Sequence, residues 1–270
     1  MGIELQFESS PRDITRRRAA LEVAAARVGG VAPASRPTEV SGPAGVGEDA
    51  IAVPPALGQV LPRGIRRGEV ISLREVDDGI GYTTLALIAS ALREGLWSAA
   101  VGADGLGGAA LAGMLASMSA PEGALQRLLV VPPSAQAWSE VVAVLADGID
   151  LLVLKPPARV PAALGRRVDA RIRQNGTERT RHRAAVVVLG SWPSASVSIR
   201  VERIDWVGMA QGTGHLRAGR ARLVVSDRSR RERAVPVWLP TPDGGIEAAR
   251  PGRTLSAPPE RGEGSVGRAA

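Results

Sequence analysis

The sequence predicts an α/β domain with a mainly parallel sheet flanked by helices and antiparallel strands added at its C-terminal edge. Three observations carry this. Between residues 68 and 189 short apolar runs alternate with stretches of helical period, the pattern of strand and helix units feeding a parallel sheet. The run after Asp150, LLVL to Leu154, is apolar without a break, as a strand covered on both faces must be. After Gly190 the period becomes two, with Val197, Ile199 and Val201 alternating with Ser198, Arg200 and Glu202, which is how strands with one solvated face read.

Taken in order, residues 1–10 alternate Ile3, Leu5 and Phe7 and read as a frayed end or, alternatively, an edge strand. Pro11 to Val28 reads as a helix with Asp13 in its first turn and Gly29-Gly30 after it. Its narrow seam of Ile14, Leu21 and Val28 suits either a docking helix or a peripheral helix packed on its own domain. Residues 1–29 are thus a candidate docking segment. Residues 30–55, rich in Pro, Gly, Ala and Ser, read as a flexible linker, and structure is expected to resume near Ala56.

The strand Glu69 to Leu73 is followed by a loop and a helix opened by Thr83 and Thr84, with Leu85, Ile88 and Leu92 at helical spacing. A strand at Trp97 to Val101, a small-residue helix at Gly107 to Met118 and a strand at Leu128 to Val131 come next. The helix Ala137 to Asp147 puts Trp138, Val141, Val142 and Leu145 on one face. After the buried strand, a helix at Pro161 to Asn175 turns Leu164, Val168 and Ile172 inward and Arg166, Arg167, Arg171 and Arg173 outward, before a strand at Ala184 to Leu189. In the alternating strand beyond, the phase slips after Val201 so that Ile204 and Trp206 continue it, which predicts a bulge near Arg203. Strands at Arg220 to Val225 and Ala234 to Leu239 complete the antiparallel additions. The domain is expected over 56–240, and 241–270, full of Gly and Pro, as a disordered tail.

Composition bounds the function classes. A chain of 270 residues with 44% hydrophobic content buries one sizeable core without a metal or disulfide staple. It has no cysteine and two histidines, which removes disulfides and thiolate metal sites and leaves almost nothing for zinc. No apolar run approaches the roughly 20 residues of a membrane helix, and the N-terminus lacks a signal-peptide core, so a cytoplasmic location is expected. The net charge of +7 fits an anionic partner. It equally fits the imprint of GC-rich coding, since only Lys155 among 34 basic residues is lysine and aromatic content is 3%.

The stretch Gly68 to Arg93 has the layout of a phosphate-binding loop: strand, Gly-rich turn, Thr-opened helix. Laid on G-x-x-x-x-G-K-[ST], it keeps Gly81 and Thr83 but has Val76 for the first glycine and Tyr82 for the lysine, with Gly79 and Thr84 as further loop positions. A phenol does not replace an ammonium on the β and γ phosphates. Glu75, Asp77 and Asp78 add repulsion of roughly 4 kcal/mol for a pair of like charges about 4 Å apart at an effective dielectric of 20. A triphosphate is expected to be turned away.

These residues resemble the RecA recombinase core, with Ala56 to Leu73 similar to the lead into its phosphate loop. More closely, the chain is similar to the actinobacterial ImuA-type proteins of the SOS mutagenesis cassette. The resemblance rests on the lysine-less loop before Thr83 to Leu87, the stretch Leu154 to Val160 (V-x-P-P-A-R-V-like), the strand ending at Leu189 to Pro193 (L-G-x-W-P) and Gly214 to Arg220 (G-H-L-R-A-x-R). It covers about Ala56 to Gly245 and implies a RecA-like fold. It also implies, as partners, an inactive Y-family polymerase of the ImuB type and an error-prone C-family polymerase. Carried across residue by residue, it aligns the water-activating Glu with Asp104, the magnesium-handling Asp with Lys155 and the nucleotide-sensing Gln with about Gly190. A cation at the metal-carboxylate position excludes the bridging metal. The resemblance therefore implies a protein that is not an enzyme, has no cofactor or metal, and assembles a translesion DNA synthesis complex. A weak ATPase in which Lys155 substitutes for the loop lysine is the catalytic alternative. An internal ion pair of Lys155 with Glu75, Asp77 or Asp78 is the structural one.

The Arg-rich segment Thr177 to Arg183 offers DNA as a candidate partner through Arg179, Arg181 and Arg183 together with Arg171 and Arg173, expected at a sheet edge, or is a solvated basic loop. A second arginine cluster, Arg217 to Arg233, reads as a guard against edge pairing. Of the five tryptophans, Trp192 and Trp238 are the expected partner surface.

Overall fold

The computed structural model describes residues 49–249, apart from 77–80, 104, 133–137, 158–159, 175–182, 211–212, 228 and 230. The chain enters through a two-stranded antiparallel ribbon, β1 (Ala50–Ile51) on β2 (Ile65–Arg66), with the short helix α1 (Pro55–Gly58) between them. Ile51, Leu57 and Ile65 are fully buried. Residues 49–55, expected as linker, are therefore part of the folded domain, because the apolar side chains of Ile51 and Val53 are taken up by the core.

The main sheet runs in the order β11–β10–β9–β8–β3–β7–β6–β4–β5. Its strands are β3 (Val70–Arg74), β4 (Ser98–Val101), β5 (Leu128–Val131), β6 (Leu151–Leu154), β7 (Ala185–Leu189), β8 (Val197–Ala210), β9 (Thr213–Asp227), β10 (Glu232–Trp238) and β11 (Glu247–Ala248). From β5 to β8 every neighbouring pair is parallel; β8, β9, β10 and β11 pair antiparallel. β8, expected as an antiparallel addition, instead pairs parallel with β3 and turns antiparallel only towards β9. The expected bulge is present, where the β8–β9 register shifts between Val201 and Arg203, and a second shift lies between Val207 and Met209.

One face of the sheet is covered by α2 (Tyr82–Arg93) and α3 (Gly108–Ser117), the other by α4 (Trp138–Leu145) and α5 (Ala162–Gln174). α2 is buried all round, from Thr83 to Leu92, so it is a core helix and not a surface one. Leu87, Ile88 and Leu92 are each 0% exposed, and burying each contributes about 1.5–3 kcal/mol. α5 is amphipathic as its period predicts, with Val168 and Ile172 buried and Arg166, Arg167, Arg171 and Arg173 exposed. β6 is fully buried, as its unbroken apolar run requires.

Past β10 the chain stays packed to residue 249. Thr241 and Ala249 are buried and β11 pairs with β10, so the portion 241–249 of the expected tail belongs to the domain. Among the described residues no helix is long and apolar enough to cross a membrane.

Candidate functional site at the carboxyl end of the sheet

Because β3, β7 and β6 are adjacent and parallel, the turns that follow them meet at one end of the sheet, where open α/β sheets hold ligands. The turn after β3 leads into α2, whose first N–H groups would face an anion. The anion there is the protein's own. Glu75, 8% exposed, accepts hydrogen bonds at Oε1 from the backbone N–H of Thr84 (3.0 Å) and from its hydroxyl (3.0 Å). The Thr83 hydroxyl donates to Oε2 over a longer 3.4 Å. A Cβ on Gly81 would stand 2.4 Å from Glu75 Oε2, so a larger residue there would push the carboxylate from its place. Burial pushes the Glu75 carboxyl above its ordinary value, and the hydrogen bonds from Thr84 and Thr83 oppose that shift.

Tyr82, at the lysine position, is the first residue of α2 and meets Trp206 of β8 edge to face, ring centroids 6.3 Å apart. Its ring lies against the antiparallel hairpin. Val76 is exposed at the end of the turn, while Asp77, Asp78 and Gly79 lie outside the described residues, as does Asp104.

Lys155 follows β6 and lines a cavity together with Arg74 and Glu75 from the end of β3 and Gly190 to Ser194 after β7. Of the expected ion-pair partners of Lys155, Glu75 is bonded instead to Thr83 and Thr84, and Asp77 and Asp78 lie outside the described residues. Gly190, aligned with the sensor position, has φ +112°, a conformation that L side chains rarely adopt, and its carbonyl accepts from the Ser72 hydroxyl at 2.6 Å.

The arginines expected to contact DNA lie elsewhere. Arg171 and Arg173 are in the last turn of α5, and Arg183 precedes β7, so they gather at the amino end of the strands. β7 sits between β3 and β6, in the middle of the sheet and not at its edge. Arg171 pairs with Asp147 at 2.6 Å, and the Arg183 side chain lies over Gly68. Arg179 and Arg181 are outside the described residues, as are Ile14, Leu21 and Val28 of the expected docking helix.

Neither tryptophan expected at a partner surface is exposed. Trp192 is 7% exposed, donates its indole N–H to Asp169 at 2.8 Å and packs on Trp138. Trp238 is buried with Ala218 and Ala249. The exposed one is Trp206, with Val207 and Leu216 on the same hairpin. Glu75 entered the sequence reading only as a repelling charge; its spacing of six residues ahead of Gly81 is the one signal that could have found its role. Arg74 and Arg166 carried no signal for this site, since one ends a strand and the other is a surface residue of a helix.

The model of the family described as the MT3502 N-terminal domain matches residues 59–194, just over half of the 270-residue chain. Among solved structures, the crystal structure of the RadB recombinase aligns with a TM-score of 0.54 at 16% identity, covering 73% of this chain and 97% of that one. That likeness is one of fold, and the fold is RecA-like. No curated protein matches the sequence.

Proposed function

The chain belongs to the MT3502 N-terminal domain family and has a RecA-like fold, and from these premises we propose that it is a non-catalytic accessory protein that helps assemble or recruit an error-prone translesion DNA synthesis complex. The observation that carries the non-catalytic reading is Glu75, whose carboxylate takes the hydrogen bonds of the α2 start that a phosphate would need. Tyr82 in place of the loop lysine and Lys155 in place of the metal carboxylate support the same reading. The mutagenesis context, with an ImuB-like inactive polymerase and an error-prone C-family polymerase as partners, is supported by the ImuA-type motifs from Thr83 to Arg220. A weak ATPase using Lys155 is less well supported, because the γ-phosphate would have to displace a buried carboxylate. So is a DNA module built on Arg171 and Arg183, since the first is paired with Asp147 and the second packed over Gly68.

The test is thermal unfolding with and without millimolar ATP and magnesium. No shift in Tm is expected. A ligand present at 100 times its Kd stabilises by about 2.7 kcal/mol, so a rise of several degrees would overturn the reading.

A further inference from the structure

Beside the filled α2 start, the turns after β3, β6 and β7 enclose a cavity of about 780 Å³, within the ~300–1,000 Å³ typical of ligand sites. Three cations line it: Arg74 from the end of β3, Lys155 after β6 and Arg166 from the second turn of α5. Two carboxylates line it as well, but both are engaged, Glu75 by Thr83 and Thr84 and Asp169 by the indole N–H of Trp192. Among the described residues no ion pair joins Arg74, Lys155 or Arg166 to an acid. With three cations against two carboxylates, each of these already hydrogen-bonded to neutral donors, the described lining keeps an excess of positive charge in a concave site, which favours an anionic guest.

The walls decide what kind of anion. Pro156 and Pro193 line the cavity with rings that offer carbon surface and no N–H, suited to an aliphatic side chain. Single-stranded nucleic acid asks for cations along a groove and aromatic faces on which bases stack. Trp192, the aromatic residue at this cavity, is buried and its N–H is already bonded.

We propose that this cavity docks an acidic peptide segment of a partner protein. An Asp or Glu carboxylate is held by Arg74, Lys155 and Arg166, and a neighbouring aliphatic side chain lies against Pro156 and Pro193. The inference deepens the accessory reading above and rests on it for its biological setting.

The experiment presents the full chain to an array of octapeptides carrying Asp or Glu beside Leu, Ile or Val, and to a matched array with Asn and Gln. Retention on acidic members and loss on their amide counterparts are expected. Arg166→Glu and Lys155→Ala should each weaken retention by about tenfold or more, as loss of a hydrogen bond to a charged group does. Arg166 is exposed, so its variant is expected to fold, and an unchanged Tm verifies that. The proposal is overturned if no acidic peptide is retained, if acidic and amide arrays bind alike, if Arg166→Glu binds as the parent does, or if a 20-nucleotide single-stranded DNA displaces the peptides. ATP binding is measured separately. A Tm rise with ATP alongside intact peptide retention would sink the non-catalytic reading and leave the cavity standing, and absence of both would do the reverse.

Discussion

The turn after β3 and the turn after β6 lie at the same end of one parallel sheet, and both gather groups that attract anions. They differ in what answers the charge. At the α2 start the answer is internal: Glu75 is drawn in, bonded at 3.0 Å to the N–H and hydroxyl of Thr84, and Gly81 leaves room for it. Around Lys155 the charges of Arg74 and Arg166 line one cavity and outnumber its two acids, Glu75 and Asp169, which are hydrogen-bonded to neutral donors. Position in the fold alone therefore does not make a ligand site. A site whose hydrogen bonds are satisfied from within has little to gain from a guest, whereas its neighbour does.

Three substitutions sharpen this contrast, from the largest expected effect to the smallest. Thr84→Val removes a buried hydroxyl that donates to a carboxylate, and should lower stability by about 1.5–3 kcal/mol in urea denaturation while peptide retention at the cavity stays unchanged. A parallel fall in retention would show that the two places act as one. Gly81→Ala puts a methyl 2.4 Å from Glu75 Oε2, and overpacking of this kind should lower stability by about 1–3 kcal/mol. If the melting curve does not move, the carboxylate is not held where the structure has it.

Glu75→Gln gives the mildest change, visible as a pH dependence. The folded-state pKa of Glu75 is raised, chiefly by burial, so its contribution to stability is fully present below the unfolded carboxyl value. It is lost as pH rises through the raised one. Stability of the parent relative to Glu75→Gln should therefore decline from acid towards neutral pH, and a difference that stays flat or grows across that window would contradict the buried placement.

How much was legible in the sequence follows from the range of the forces involved. The full burial of β6 and the outward arginines of α5 could be read directly, because each is a short-window periodicity. The slip after Val201 was legible for the same reason. Trp192 and Trp238 were misjudged because the exposure of an indole near the end of a strand depends on what folds over it, Asp169 and Trp138 in one case and Ala218 and Ala249 in the other. The direction of β8 was misread because alternation reports a solvated face and is silent on which neighbour the strand takes.

By itself the sequence determined the elements and the residue types at the loop, with Tyr82 at the lysine position of the phosphate-loop pattern and Lys155 just after the buried strand. The tertiary structure alone decided that Glu75 turns into the start of α2, and that Arg74, Lys155 and Arg166 share one cavity. The physical reason is that local hydrogen bonding and side-chain period are written within a few residues. The meeting of side chains from separate strands depends instead on the order and direction in which those strands pair.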